Sequence, residues 1–167
     1  MAELTQQERL QPSLLDRLSD DCRYEAAEGR DARTITAARL REYIVRDLTW
    51  LLNCTRHHQA EAFEAHPYVS DSVLNYGIPD LAGVLLAGLQ VSELQNRIRA
   101  AIVAFEPRLA AASLQVTAQV NDARMDRLSL AFVIEAEMWA QPMPLALYLR
   151  TEVDLESGRF TVHDGLH

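Results

Sequence analysis

The chain contains no lysine. All 16 of its basic residues are arginine, set against 24 acidic residues, for a formal charge of -8 and an isoelectric point near 5.1. Two origins fit that bias: the base composition of a genome, or a preference for the planar guanidinium wherever bidentate carboxylate contacts matter. The acidic surplus argues against nonspecific nucleic-acid binding, which needs net basic surface to neutralise phosphates. Cysteine is scarce. Cys22 lies in a polar segment and Cys54 in a helical pattern, so they read as reduced thiols of a cytoplasmic protein and not as a disulfide framework. Residues 1–10 lack the basic-then-apolar pattern of a secretion signal. No apolar run approaches the roughly 18 residues that a membrane helix needs, which excludes direct membrane insertion. Internal repeats and low-complexity tracts are also missing.

Chemical signatures are equally sparse. There is no phosphate-binding glycine-rich loop, no Gly-x-Ser-x-Gly elbow, no His-Glu-x-x-His helix and no Cys-x-x-Cys pair. Cys54, His57, His58 and His66 match no standard metal spacing: Cys54 would point from a helix, and the histidines read as solvated loop residues. No cofactor is expected.

What is present is a helical half followed by a strand half. Residues 1–33 read as an N-terminal extension carrying one short docking helix at 13–19, with Ser13 as its N-cap and Leu14, Leu15 and Leu18 as its apolar residues. Residues 34–167 read as one α+β domain. Between about Thr36 and Thr55, Leu40, Ile44, Val45, Leu48, Leu51 and Leu52 form one stripe, with Glu42 and Arg46 opposite at i,i+4 spacing. Residues 56–78 form an irregular connection. A short helix is expected from Pro79 to about Gly88. Ser92 to Gln95 has capping-box form, ahead of a helix through Leu94, Ile98, Ala101, Ile102 and Phe105.

After Pro107 the period changes to two. Leu114 to Val120, Leu128 to Met138 and Leu145 to Leu155 alternate, and Glu156-Ser157-Gly158 turns the chain into a short last strand at Arg159 to Val162. The expected architecture is α+β, with N-terminal helices packed on a C-terminal antiparallel β-meander of three to four strands. Long strands near a chain end can leave an open edge for another chain to pair with.

Two strings punctuate this pattern. Phe105-Glu106-Pro107-Arg108-Leu109 places opposite charges at the corner where a helix must end, because the proline ring disfavours helical geometry at the preceding residue. Glu106 and Arg108 either bridge each other within the chain or face a partner. A general acid at Glu106 would need an apolar wall and a second carboxylate, whereas a neighbouring arginine favours an ion pair. The second string is Ser72-Val73-Leu74-Asn75-Tyr76-Gly77-Ile78-Pro79-Asp80. Asn75, Gly77 and Pro79 suit a structural turn or a partner contact, and Tyr76 and Trp139 are either core residues or interface anchors.

Four segments taken in order carry a family resemblance: Ser13 to Leu18, Arg41 to Leu48, Ser72 to Asp80, and Glu106-Pro107-Arg108. The chain resembles the phage baseplate wedge family related to the lysozyme-like gene 25 product. Within it, the chain is similar to the TssE-type baseplate subunits of bacterial type VI secretion. The resemblance implies a cytoplasmic, non-enzymatic subunit of a contractile injection machine. It would bind other wedge subunits and sheath subunits and initiate sheath polymerisation by strand addition, being monomeric or weakly associating when isolated. Glu106, Pro107 and Arg108 are implied to contact neighbouring components. The alternative is a peptidoglycan hydrolase acting through Glu106, but the family's lysozyme label brings no recognisable active site here.

Overall fold

The computed structural model describes residues 13–18, 35–56, 66, 68–69, 72–81, 91–119, 129–139 and 144–165. Expectations for residues 1–12, the 20–33 linker, Cys22, His57, His58, the helix continuing to Gly88 and the 121–126 turn lie outside them. Pro79, Asp80 and Leu81 themselves are not helical.

Helix α1 spans Leu14–Leu18, α2 Ala37–Asn53 and α3 Val91–Phe105. The α2 start is set by chemistry: Thr36 is extended, and its hydroxyl accepts the Arg39 N–H, satisfying one of the donors a helix N-terminus leaves unpaired. Its expected stripe is the buried one, with Ile44 and Leu48 fully covered and Val45 at the margin. Two local expectations change. Glu42 pairs with Arg39 one turn back, and Arg46 is drawn to Asp16 and Asp47. Ser92 falls inside the first turn of α3, and the Gln95 amide donates to the Val116 carbonyl at 3.1 Å and does not fold back as a cap.

Strands β1 (Gln115–Gln119), β2 (Ser129–Met138), β3 (Leu145–Asp154) and β4 (Arg159–Asp164) form one antiparallel sheet in sequential order. Period-two patterning puts Phe132, Ile134, Leu147, Leu149, Val153 and Phe160 on one face, each no more than 2% exposed. Thr151 joins that face by donating its hydroxyl to the Phe132 carbonyl at 3.3 Å. Helices α2 and α3 lie side by side on this face, α3 over β1 and α2 over β4, so the core is a single layer between helices and sheet. Gly158, at φ +69°, closes the β3–β4 turn in a conformation that side chains rarely adopt.

The long strands do not supply the open edge that their length suggests. β2 and β3 are central, paired along their ten residues with each other and on their outer sides with β1 and β4. The edges are the shorter β1 and β4.

Candidate functional site

Three distant parts of the sequence meet at the corner where α3 ends. The Glu106 N–H still bonds the Ile102 carbonyl at 2.8 Å, and Pro107 then forces the chain out of the helix. That turn lets Arg108 curl back on Glu106. Its Nε reaches Oε1 at 2.6 Å and its Nη2 reaches Oε2 at 2.5 Å, the two-pronged geometry that a guanidinium favours. The Arg108 backbone N–H adds a third bond to Oε1 at 3.2 Å. Glu106 is 3% exposed.

The pair is one end of a longer chain of charge. Arg108 Nη2 also meets Asp47 Oδ2 at 2.5 Å. Asp47 Oδ1 accepts from Arg46 Nε at 2.8 Å, and Arg46 Nη2 lies 2.7 Å from the same oxygen as an ion pair. Arg46 Nη1 lies 2.7 Å from Asp16 on α1, and its guanidinium also lies over the Tyr43 and Trp50 rings at 5.0 and 4.9 Å. Five charges thus alternate in sign from α1 through α2 to the corner, and the two terminal carboxylates, Asp16 and Glu106, are buried. Burying an unpaired carboxylate is prohibitive, so each end depends on the arginine beside it.

The electrostatics follow the geometry. Burial pushes the Asp16 carboxyl up, but the Ser13 hydroxyl, 2.6 Å away, and Arg46 outweigh it and hold Asp16 below the usual carboxylate range. Burial works against the charged form of Arg108, yet Glu106 and Asp47 more than offset it and hold the guanidinium protonated beyond its ordinary value. Burial, reinforced by Asp47, raises the Tyr76 phenol.

The second string packs against the same corner. Tyr76 sets its ring edge-on to Phe105 at 5.1 Å, and its hydroxyl points at the Asp47 carbonyl, 3.5 Å away. Ser72 caps a 3-10 turn at Val73–Asn75, and Asn75 is buried. Beyond it, Ile78 bridges to Thr55, with the Ile78 N–H on the Cys54 carbonyl at 3.0 Å and the Arg56 N–H on the Ile78 carbonyl at 2.7 Å. Gly77 makes that approach possible. It sits at φ +119°, and a Cβ there would lie 2.2 Å from the Cys54 carbonyl oxygen. Cys54 accordingly ends α2 as an extended cap residue, outside the helix that its sequence context suggests.

Of the candidate residues, the structure therefore unites Glu106, Pro107, Arg108, Asn75, Tyr76, Gly77 and Pro79 around the α2 C-terminal half. The Glu106–Arg108 alternative resolves as an internal bridge. Both Glu106 oxygens accept hydrogen bonds from Arg108. Leu14, Leu15 and Leu18 stand apart: Leu14 is 72% and Leu18 73% exposed, on a helix fastened by the inward-turned Asp16. Trp139 is 66% exposed and continues the corner, its N–H bonding the Arg108 carbonyl at 2.7 Å. Asp16, Arg46 and Asp47 were missed as site members. The available signal was one acidic residue within Leu14-Leu15-Asp16-Arg17-Leu18, an odd choice unless a cation waits for it.

Residues 38–143 match the family model described as baseplate wedge protein gp25, and the chain belongs to that family. The match runs from α2 past β2, covering the corner and the Asn75 to Pro79 string, with α1, β3 and β4 outside it. Neither the curated proteins nor the solved structures yield a match to the chain.

Proposed function

Starting from membership of a baseplate wedge family, we propose that this chain is a non-enzymatic structural subunit of a contractile injection machine of the type VI secretion kind. It binds wedge partners and initiates sheath polymerisation by adding a sheath strand to its own sheet. The family match over residues 38–143 is the observation that carries the reading. The geometry supports it: the residues with the most conspicuous chemistry are consumed in holding elements together, while apolar side chains on α1 and the backbone at the sheet edges are left outward. Among the described residues no helix is long and apolar enough to cross a membrane, and no cluster of metal ligands occurs. We assign the chain to the cytoplasm and to a monomeric or weakly associating state until it meets its partners.

The roles divide by burial. Glu106, Pro107 and Arg108 act by fixing the corner, and Asn75, Tyr76, Gly77 and Pro79 brace it. Leu14 and Leu18 are the direct contacts to a wedge subunit, an i,i+4 pair of the kind that fills an apolar groove. The purified wedge and sheath proteins of the same genome, mixed with this chain and separated by size, test the proposal. Co-elution with both is expected, and the double variant Leu14→Ser/Leu18→Ser keeps its fold but loses the wedge protein. Independent elution of the wild-type chain from both proteins would refute the reading. Peptidoglycan turnover that disappears in Glu106→Gln would instead establish the hydrolase alternative.

A further inference from the structure

We infer that α1 is tied to the domain by an ionic latch, Asp16 braced by Ser13 and paired with Arg46, and that it opens as an independent unit when the latch breaks, leaving α2, α3 and the sheet folded. The device belongs to the isolated chain and stands apart from any reading of its partners.

Helix α1 is built the wrong way round for hydrophobic docking. An amphipathic helix ordinarily turns its apolar stripe inward and its charges to water. In α1, Leu14, Leu15 and Leu18 are all exposed, and the buried residue is Asp16, whose side chain is fully covered. None of the three leucines belongs to the hydrophobic core. Nor can α1 persist by itself: it has five residues, and helices shorter than about 12 residues are marginal in water. Its place is therefore set by polar contacts. The Ser13 hydroxyl donates to Asp16 Oδ2 at 2.6 Å and accepts the Asp16 N–H at 3.3 Å, which closes the turn on itself. Among the described residues, the one ion pair joining α1 to another element is Asp16 Oδ1 with Arg46 Nη1, at 2.7 Å.

The two ends of the charge series differ in what breaking them leaves behind. Glu106 takes two bonds from the Arg108 side chain and a third from its backbone, and without Arg108 its carboxylate would stay buried and unpaired. Opening α1 strands no buried charge. Asp16 leaves with the helix and is hydrated. Arg46 keeps Asp47 and the Tyr43 and Trp50 rings, so the receiving side of the latch stays in place whether or not α1 is there. Leu14 and Leu18 already face water, so their release exposes little further apolar surface. What holds α1 is a single pair whose attraction is offset in part by the desolvation of both ions. Against it stands the conformational entropy that five residues regain. Opening is therefore local, and its free energy is that of the latch.

Acid releases the latch. Asp16 is faced by the Ser13 hydroxyl from its own turn and by Arg46 from α2, with Asp47, Arg108 and Glu106 following in series behind Arg46. Burial raises the Asp16 carboxyl, but Ser13 and Arg46 outweigh it and hold the group below its ordinary range. The latch is thus complete above the free carboxyl's pKa of about 3.9 and is lost as pH falls through the lower latched value. At neutral pH it keeps Leu14 and Leu18 at a fixed place on the surface. Once released, α1 loses both its position and its helix.

The test uses the full-length chain at pH 7, with backbone order parameters measured residue by residue by nuclear magnetic resonance. In the wild type, Leu14 to Leu18 should match α2, at about 0.85. Asp16→Asn and Asp16→Leu should each bring these amides below about 0.6 and speed exchange of the Leu18 amide at least tenfold, with α2, α3 and the strands unchanged. Leu14→Ala/Leu18→Ala should leave α1 as ordered as in the wild type. Asp16→Leu separates the latch from ordinary packing, because a helix held by apolar contact would tighten when its buried residue becomes apolar. Wild-type order of α1 in Asp16→Leu would therefore overturn the latch, as would an α1 already disordered in the wild type. Disorder of α1 in Leu14→Ala/Leu18→Ala would return the attachment to the leucines. Loss of order that spreads to α2 or α3 in Asp16→Asn would overturn the independence of α1.

Discussion

The Glu-Pro-Arg corner and the free edge of β4 treat their polar groups in opposite ways. At the corner, five acidic and basic side chains pair with one another in series, and the two carboxylates at the ends are nearly inaccessible. At β4, the side chains are unremarkable. The Asn53 amide takes both main-chain groups of Phe160, so by the two-residue period of the ladder Val162 and Asp164 also turn theirs outward, unbonded among the described residues. The lesson is that conspicuous residues and available residues are different sets. A charged motif can matter to assembly by holding shape, without offering its own charges to a partner.

That contrast predicts a ranking of mutational effects on stability. Arg108→Ala should be the most damaging, because it strands buried Glu106 beside Asp47. A cost of about 3–5 kcal/mol is expected from broken buried pairs and would show as a lowered urea midpoint. Arg108→Lys should recover only part of it, since an ammonium cannot engage both Glu106 oxygens. Charge reversal at Glu106 should therefore unfold the corner, making it a poor probe of partner contact. An Arg108→Ala midpoint equal to wild type would mean the corner is not closed.

Gly77→Ala comes next. Positive φ and the Cys54 carbonyl 2.2 Å from the new Cβ both oppose it, so about 1–3 kcal/mol is expected. Thermal unfolding checks the value, and a neutral result would detach the Asn75 to Pro79 string from the corner.

Asp16→Asn should cost less and carry a pH signature. The folded state holds this carboxyl below its ordinary value, so its contribution is complete above the unfolded pKa of about 3.9. It is lost as pH falls through the lower folded value. The stability gap between wild type and Asp16→Asn should stay constant from about pH 5 to 8 and close under acid conditions, as followed by urea titration. A gap that widens in acid would contradict the Arg46 pairing.

Val162→Pro should have the smallest effect on stability, about 0.5 kcal/mol or less, because the missing N–H already faces outward and proline is tolerated on edge strands. Thr161→Pro removes a donor that bonds β3 and should be far more destabilising. Equal losses in the two would show that the outward register of β4 is wrong.

Much of the fold was legible because it is local. The α2 stripe, the end of α3 at Pro107 and the alternation of β2 and β3 all depend on neighbours within a few residues. What was not legible is what depends on distant partners. Glu42 and Arg46 had the right spacing to pair, but Asp16 and Asp47 offered Arg46 a more buried bridge. Gln95 looked like part of a cap because nothing local reveals that a carbonyl of β1 lies within its reach. Strand length suggested an edge among the longest strands, yet central strands are long because both neighbours support them. Asn53 carried no visible signal, since its role exists only once β4 has crossed over α2. At the site itself, Glu106, Arg108 and Gly77 stood out, and the three charges connecting them to α1 did not.

The central claim is that this baseplate subunit engages its sheath partner through a sheet edge and not through the charged corner. Amide hydrogen exchange, followed residue by residue with and without the purified sheath protein, tests it most directly. The account predicts protection gained along β1 or β4 in the complex, and an unchanged Arg108 amide. Protection gained at Arg108, with both edges left as they were, would contradict it.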